Sequence, residues 1–289
     1  MSNWVYSHFP SQNDDWSVDL STLRIMIMEK RIGIIGGGNL GIAIAEGLIN
    51  SKFSTPESLF ITRRKLNHLE HFRDMGVKIG KDNLEAAQFA SILILAVKPY
   101  QVEAICEEIK SEIGPEDIVI SVATGVEIEK MSQRLGGHDK VYRAMPNTAI
   151  AIGESMTCIC GREENGEDLD KVSQLFKTIG ETVVIREEHM NAATVLGACG
   201  IAYAMRFIRA ASQGGIEIGF HADIAQKIAA QTVKGAADLL IKQSSHPESE
   251  IDKVTTPRGC TIAGLNEMEH QGFSSALIKG VLTSFEKID

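Results

Sequence analysis

The sequence lacks the surplus of basic residues that proteins need to bind nucleic acid. Its 29 lysine and arginine residues are outnumbered by 38 aspartate and glutamate residues, and the formal net charge at pH 7 is -9. A surface of this sign repels polyanions. We therefore expect no nucleic-acid partner.

Cysteine is also scarce, and its spacing fits neither a disulfide framework nor a metal site. The five cysteines, an odd number, lie at positions 106, 158, 160, 199 and 260. Such scattered thiols favour a reducing, cytoplasmic location, and we expect no bound metal. No uninterrupted apolar run approaches the length that spans a bilayer, so we expect no membrane partner either.

What is present is enough apolar material for a two-domain enzyme. The chain has 289 residues, of which 44% are hydrophobic, so it can bury a large core. Residues 1–29 are polar and aperiodic, without the features of a signal peptide. We expect this leader to be disordered or to follow from a mis-assigned start, with Met26 or Met28 as the true first residue. The alternative is an ordered arm that packs on a neighbour through its aromatic residues.

A glycine-rich turn between a strand pattern and a helix pattern predicts a dinucleotide site. The run RIGII is followed at once by GGGNLG and then by IAIAEGLIN, in which apolar residues recur at helical spacing. Gly36, Gly38 and Gly41 fit the pattern G-x-G-x-x-G. The first glycine permits a tight turn, the second lets the backbone approach a pyrophosphate, and the third lets the helix pack closely. N–H groups at the helix start then face the phosphates.

The end of the second predicted strand, SLFIT, favours NADPH. In an NAD-binding unit an acidic residue for the ribose 2′-hydroxyl stands there, about 20 residues after the glycines. This chain has Thr62, Arg63 and Arg64 instead. Arginine forms bidentate bonds to phosphate oxygens, as a 2′-phosphate requires. We expect NADPH as cofactor, with NADH as the alternative.

Strand and helix patterns go on alternating, which predicts an α/β fold with a doubly wound parallel sheet. Ligands of such sheets bind beyond the carboxyl ends of the strands. Lys98 also has the chemistry of a catalytic base, although a lysine at a strand end before proline more often neighbours phosphate or ribose. The residues predicted to bind the cofactor are Gly36, Gly38, Asn39, Leu40, Gly41, Thr62, Arg63, Arg64, Asn83, Ala96, Val97, Lys98, Pro99 and Ala123.

Strand patterns give way to long alanine-rich helical patterns in the last third of the chain. We predict an NADP-binding Rossmann domain over residues 30–187 and an all-α domain over residues 188–289. The helices over residues 191–242 leave apolar surface that one small domain covers poorly. This predicts an assembly of at least two chains.

Five segments that follow the leader resemble the pyrroline-5-carboxylate reductase family. They occur in the family's order over about 260 residues, and they are IGIIGGGNLG, LAVKP, RAMPNT, AAQTVKGAADLL and VTTPRGCTIAGLNEMEHQGF. The resemblance implies a Rossmann domain joined to a dimer-forming helical domain, in a homodimer or a higher oligomer of dimers. It also implies the NAD(P)H-dependent reduction of 1-pyrroline-5-carboxylate to L-proline, the last step of proline biosynthesis.

The last of these segments resembles the family's loop for the substrate carboxylate. The resemblance implies that Thr261 is the catalytic residue, which hydrogen-bonds the ring nitrogen and relays a proton from water. The alternative is that Thr261 caps a helix beginning at Ile262. The residues that the resemblance assigns to the substrate are Thr255, Thr256, Arg258, Gly259, Cys260 and Thr261.

Two stretches depart from the family pattern. Residues 197–203 are GACGIAY where the family usually has SGSGPAY, and residues 257–261 are PRGCT where it usually has PGGTT. Arg258 therefore brings a cation to the substrate loop, where it either strengthens anion binding or points into solvent.

These departures leave alternatives open. One is an imine reductase or β-hydroxyacid dehydrogenase of the same plan that acts on another substrate. The hydroxyacid enzymes need a lysine on the first helix of the second domain, but this chain has Arg206 and Arg209 there and no lysine over residues 191–215. The other is a weakly catalytic NADP-binding regulatory paralogue.

Overall fold

The protein is described here by a computed structural model over residues 31–162 and 166–288. The leader, residues 1–29, lies outside the described residues, so the alternatives for it stay predictions.

One eight-stranded sheet runs through the first part of the chain, in the order β3-β2-β1-β4-β5-β6-β7-β8. Strands β1 to β6 pair in parallel, β7 is antiparallel to β6, and β8 is parallel to β7. This confirms the predicted Rossmann-type fold and adds a reversal at β7. The strands are β1 (Ile32–Ile35), β2 (Leu59–Thr62), β3 (Lys78–Gly80), β4 (Ile92–Leu95), β5 (Ile118–Ser121), β6 (Val141–Met145), β7 (Ser155–Cys160) and β8 (Gly180–Val184).

Helices cover both faces of the sheet, so the central strands are apolar on both sides. On β4, Ile92 and Ile94 pack into one core, whereas Leu93 and Leu95 pack into the other. Helices α1, α2 and α6 cover the first core, and α3, α4 and α5 cover the second. These helices are α1 (Asn39–Asn50), α2 (Glu70–Asp74), α3 (Asn83–Phe89), α4 (Pro99–Ile109), α5 (Ile128–Arg134) and α6 (Gly166–Lys177).

Three cysteines serve as packing residues of this part of the chain. Cys106, Cys158 and Cys160 are buried. Burial raises the pKa of the Cys106 and Cys160 thiols to about 12. These thiols therefore stay protonated at neutral pH and behave as small apolar groups rather than nucleophiles.

The described residues after 187 are mostly helical and bury little of their own surface. Among the described residues after 187, the buried side chains are few and mostly small, and α11 and α12 have none. Leu196, Ile218 and Ile241 are at least 75% exposed. Exposed apolar surface of this extent marks a contact with another molecule or with a membrane. The elements are α7 (Met190–Ala193), a π turn (Thr194–Cys199), α8 (Gly200–Glu217), α9 (Ala222–Gln243), α10 (Pro247–Lys253), α11 (Cys260–His270) and α12 (Phe273–Glu286).

One helical segment, Glu187–Glu217, is by length and mean hydropathy alone a candidate membrane span. The expectation concerned an uninterrupted apolar run, and this segment is not one, because Arg206 and Arg209 interrupt it. The same apolar surface is also what an interface between chains requires.

A buried ion pair joins the sheet to the start of the helical part. Arg143 on β6 is 3% exposed, and its Nη1 atom lies 3.0 Å from Oε1 of Glu187. The same carboxylate oxygen accepts a 2.8 Å hydrogen bond from the backbone N–H of Ile128, the first residue of α5. Among the described residues, Nε and Nη2 of Arg143 have no hydrogen-bond partner. Glu187, whose side chain is 33% exposed, is therefore the carboxylate that pairs with this buried guanidinium.

We expect Glu187→Ala to lower the free energy of unfolding by about 2 kcal/mol, because it leaves the Arg143 guanidinium buried without a counter-charge. The matched control is Glu188→Ala, which removes an exposed pair with Arg186 and should change stability by less than about 1 kcal/mol. Urea unfolding at one fixed protein concentration measures both. Equal, small effects would show that the pair is not needed for stability.

Candidate active site

A cavity of about 1080 Å³ lies at the carboxyl ends of β1, β2 and β4. In the sheet order, β1 stands between β2 and β4. From β1 the chain first adds β2 and β3 on one side, and then returns to add β4 and the later strands on the other side. Ligands of doubly wound sheets bind at this switch point.

The glycine turn after β1 forms one wall of the cavity. Gly36 has φ of +111°, and a Cβ atom there would lie 2.4 Å from the carbonyl oxygen of Ala96. A Cβ atom on Gly41 would lie 2.2 Å from the carbonyl oxygen of Gly36, whereas one on Gly38 would meet nothing within 4 Å. The turn is thus closed on the protein side and open at Gly38. This open side fits the close approach of a pyrophosphate.

The start of α1 is free to bind an anion. Gly38 is its N-cap residue, and no described side chain caps the helix. The first N–H groups of a helix have no acceptor within the helix. Those of Gly37 and Gly38 serve the turn itself, since they donate to Thr62 O and Gly36 O. Asn39 and Leu40 line the cavity and begin the helix.

Basic side chains from two neighbouring strand ends also line the cavity. Arg63 and Arg64 follow β2, and Arg63 donates a 2.6 Å hydrogen bond from Nη1 to the Gly37 carbonyl. Lys65 and Lys81 also line the cavity, although neither was predicted. The backbone N–H of Arg63 donates to the Gly80 carbonyl, which brings Lys81 beside the arginines. Strand order, not spacing along the chain, makes these residues neighbours.

Most residues predicted to bind the cofactor lie together in this cavity, and three do not. Gly41 packs behind the turn, Pro99 begins α4, and Ala123 is buried behind the rim. The predicted residues that line the cavity are Gly36, Gly38, Asn39, Leu40, Thr62, Arg63, Arg64, Asn83, Ala96, Val97 and Lys98. Lining residues that were not predicted include Gly37, Lys65, Lys81, Gln101, Glu108, Val122 and Thr148.

The loop predicted to bind substrate lies between α10 and α11, and none of its residues lines the cavity of the single chain. Gly259 donates a backbone hydrogen bond to Thr256 O, and Arg258 has φ of +62°. Helix α11 begins at Cys260 with Gly259 as its N-cap residue. Thr261 is therefore the second residue of the helix. The alternative that it caps a helix beginning at Ile262 is wrong.

The stretch that departs from the family pattern near residue 200 contacts the cavity rim. Its first residues belong to the π turn, Thr194–Cys199, a form often found at functional sites. The side-chain amide of Asn147 donates a 3.4 Å hydrogen bond to the Gly197 carbonyl, and the next residue, Thr148, lines the cavity. The residues that depart from the family pattern thus contact Asn147, which is the neighbour in sequence of a cavity-lining residue.

Two family models match this chain, one in its helical part and one in its sheet-containing part. Residues 187–289 match the family model described as pyrroline-5-carboxylate reductase dimerisation, and residues 31–125 match the model described as NADP oxidoreductase, coenzyme F420-dependent. Pyrroline-5-carboxylate reductase 2 of Dictyostelium discoideum is 46% identical over 274 residues, which cover 89% of this chain and 92% of the relative. The pyrroline-5-carboxylate reductase of Synechocystis sp. is 34% identical over 264 residues, covering 90% and 97%.

A solved structure shows the same fold over nearly the whole chain. The pyrroline carboxylate reductase of Plasmodium falciparum, determined with NADP bound, is 26% identical at a TM-score of 0.83 and covers 91% of this chain and 98% of that one. The fold and the cavity of the present chain define a two-part oxidoreductase with a Rossmann-type dinucleotide site. The chain belongs to the pyrroline-5-carboxylate reductase family.

We expect the double variant Arg63→Ala and Arg64→Ala to bind NADPH about 10- to 100-fold more weakly while NADH affinity changes little, because charge-assisted bonds to a 2′-phosphate are lost. The matched control is Arg73→Ala with Arg134→Ala, two arginines outside the cavity. Dissociation constants from fluorescence titration measure both. A double variant that keeps the full ratio of NADPH to NADH affinity would refute the role of the two arginines.

Proposed function

We propose that this protein reduces 1-pyrroline-5-carboxylate to L-proline with NADPH, the last step of proline biosynthesis. The observation that carries the proposal is 46% identity to a curated reductase along 89% of the chain, together with an open glycine turn in the cavity. The direct test is NADPH oxidation with pyrroline-5-carboxylate, compared with keto acids and other cyclic imines. Faster turnover of a keto acid would favour a different dehydrogenase, and no turnover at all would favour a regulatory paralogue.

The cavity fits the cofactor in shape and charge. NADPH, when bound, supplies a hydride. The N–H groups at Asn39 and Leu40 would bind the pyrophosphate, and Arg63 and Arg64 the 2′-phosphate. Lys98 lies at the N-cap of α4 on the cavity rim, where it would neighbour phosphate or ribose.

The start of α11 has the features of a carboxylate site. No described side chain caps this helix, and its first turn contains no acidic residue. Its free N–H groups would bind the substrate carboxylate. Thr261, in the same turn, is exposed. Its hydroxyl would orient the ring nitrogen and pass a proton from water to it.

The sequence left two roles open for Arg258, either to strengthen anion binding or to point into solvent. Its backbone conformation favours anion binding. Its φ of +62° places a non-glycine residue in the left-handed region, which costs about 1 kcal/mol. The family usually has glycine there, which avoids that strain. A cation at a helix start is unfavourable unless an anion lies there too, and the substrate carboxylate would supply that anion.

The missing lysine argues against a β-hydroxyacid dehydrogenase. Helices α7 and α8 and the π turn between them, over residues 190–217, contain no lysine that could donate a proton. The imine chemistry of the family needs no such residue here, because the proposed proton path runs through Thr261.

We further propose that the protein is a homodimer, or an oligomer of dimers, in which one chain supplies the cavity and its partner supplies the loop. The loop lies outside the cavity of the single chain, and the helical part leaves its apolar side chains uncovered. An interface through this surface would bury those side chains and complete the site at the same time.

Heterodimers test this sharing of the site. Gly38→Asp should block pyrophosphate binding without disturbing the fold, because a Cβ atom there meets nothing within 4 Å. A purified heterodimer of Gly38→Asp with Thr261→Ala should regain about half of the wild-type activity, since one of its two sites has neither change. If each site belongs to one chain, the heterodimer stays inactive. Sedimentation showing an active monomer would overturn the proposal altogether.

The role proposed for Thr261 predicts an effect on kcat rather than on stability. Hydride transfer moves electron density onto the ring nitrogen, so a contact with that atom strengthens in the transition state. Thr261→Ala should lower kcat roughly ten- to a thousandfold and leave NADPH affinity unchanged.

Thr261→Ser is the matched control, because it keeps the hydroxyl and should retain much of the rate. Steady-state kinetics with varied imino acid separates kcat from KM. A Thr261→Ala enzyme with normal kcat and lower thermal stability would show that the residue only supports the helix.

A further inference from the structure

One acidic side chain lies among the basic residues of the cavity. Of the described residues that line it, Glu108 is the one carboxylate, whereas Arg63, Arg64, Lys65 and Lys81 are all cationic. Within the described part of the chain, Glu108 forms no ion pair with any of them. Its negative charge is therefore not neutralised by a direct contact.

A chain of hydrogen bonds holds this carboxylate near the end of β2. The Thr62 hydroxyl donates to Oδ1 of Asn83 at 2.9 Å. The amide nitrogen of Asn83 donates to Oε2 of Glu108 at 3.2 Å. The end of β2 is where a dinucleotide fold places the ribose 2′ substituent. Glu108 thus lies two hydrogen bonds from that position.

The same contacts set the orientation of Asn83. Because its oxygen accepts from Thr62, its NH₂ group points towards Glu108. The amide nitrogen also lies 3.5 Å from Oε1 of the same carboxylate. Glu108 consequently fixes a negative charge and the orientation of Asn83 at one end of the cavity.

We propose that Glu108 is a specificity-determining residue that opposes the arginines and lowers the preference for NADPH over NADH. A fixed carboxylate at this distance repels a 2′-phosphate, whose charge approaches -2, but does not repel an uncharged 2′-hydroxyl. The chain thus has, on α4, the acidic residue that its β2 end lacks. This inference rests on the dinucleotide-binding role proposed above.

Glu108→Gln tests the charge while preserving the hydrogen bond, because glutamine still accepts from Asn83. Calorimetry should show adenosine 2′,5′-bisphosphate binding roughly three- to tenfold more tightly, with AMP affinity almost unchanged. The NADPH to NADH affinity ratio should rise by the same factor, and the rise should shrink in 0.5 M salt, where screening is stronger.

The matched control is Glu107→Gln on the same helix. Glu107 pairs with Lys110 and does not line the cavity, so the affinity ratio should stay within twofold of wild type. An unchanged ratio in Glu108→Gln would overturn the proposal, as would an equal rise in the control, since it would show only an effect of net charge.

A second variant guards against a folding defect. Glu108→Ala removes both the charge and the acceptor and should raise the same ratio, with thermal unfolding as the check on structure. The nucleotide fragments bind without any imino acid. If the enzyme did not reduce pyrroline-5-carboxylate, the proposed reaction would be wrong, whereas the proposal for Glu108 would still be decided by the binding measurements.

Discussion

The glycine turn lies so close to the end of β4 at Gly36, and to the start of α1 at Gly41, that no side chain fits at either position. A Cβ atom at either position would overlap a carbonyl oxygen at 2.4 Å or less, a distance that ordinary contacts do not reach. This contact sets where α1 begins and therefore where its free N–H groups point. The open position at Gly38, the approach of Arg63 to the turn and the placement of the β4 end all depend on it.

The part of the fold that could be predicted from sequence is the part with a repeating apolar pattern. Strands β1, β4 and β5 are buried on both faces, so each appears as a continuous apolar run next to a glycine or polar turn. The antiparallel turn to β7 and the existence of β8 were missed. β8, Gly180–Val184, is partly exposed along its length, and its sequence GETVV has no such run.

The candidate site divides in a similar way. The glycine turn and the arginines could be predicted because they are consecutive in the chain and have fixed roles in a dinucleotide fold. Lys81 and Glu108 could not, because they reach the cavity from β3 and α4 through the packing of the sheet. The loop at Thr261 is a third case. Its residues are recognisable from sequence, but in the single chain they lie outside the cavity, a separation that no pattern along the chain indicates.

The unequal packing of the two halves also affects how the chain folds during synthesis. The sheet and its helices enclose two cores, so this half can fold while the ribosome is still adding residues. The helical half follows it from the ribosome and has almost nothing to fold against. If a second chain covers these helices, as proposed above, then a newly made chain exposes them to chaperones and proteases until that second chain binds.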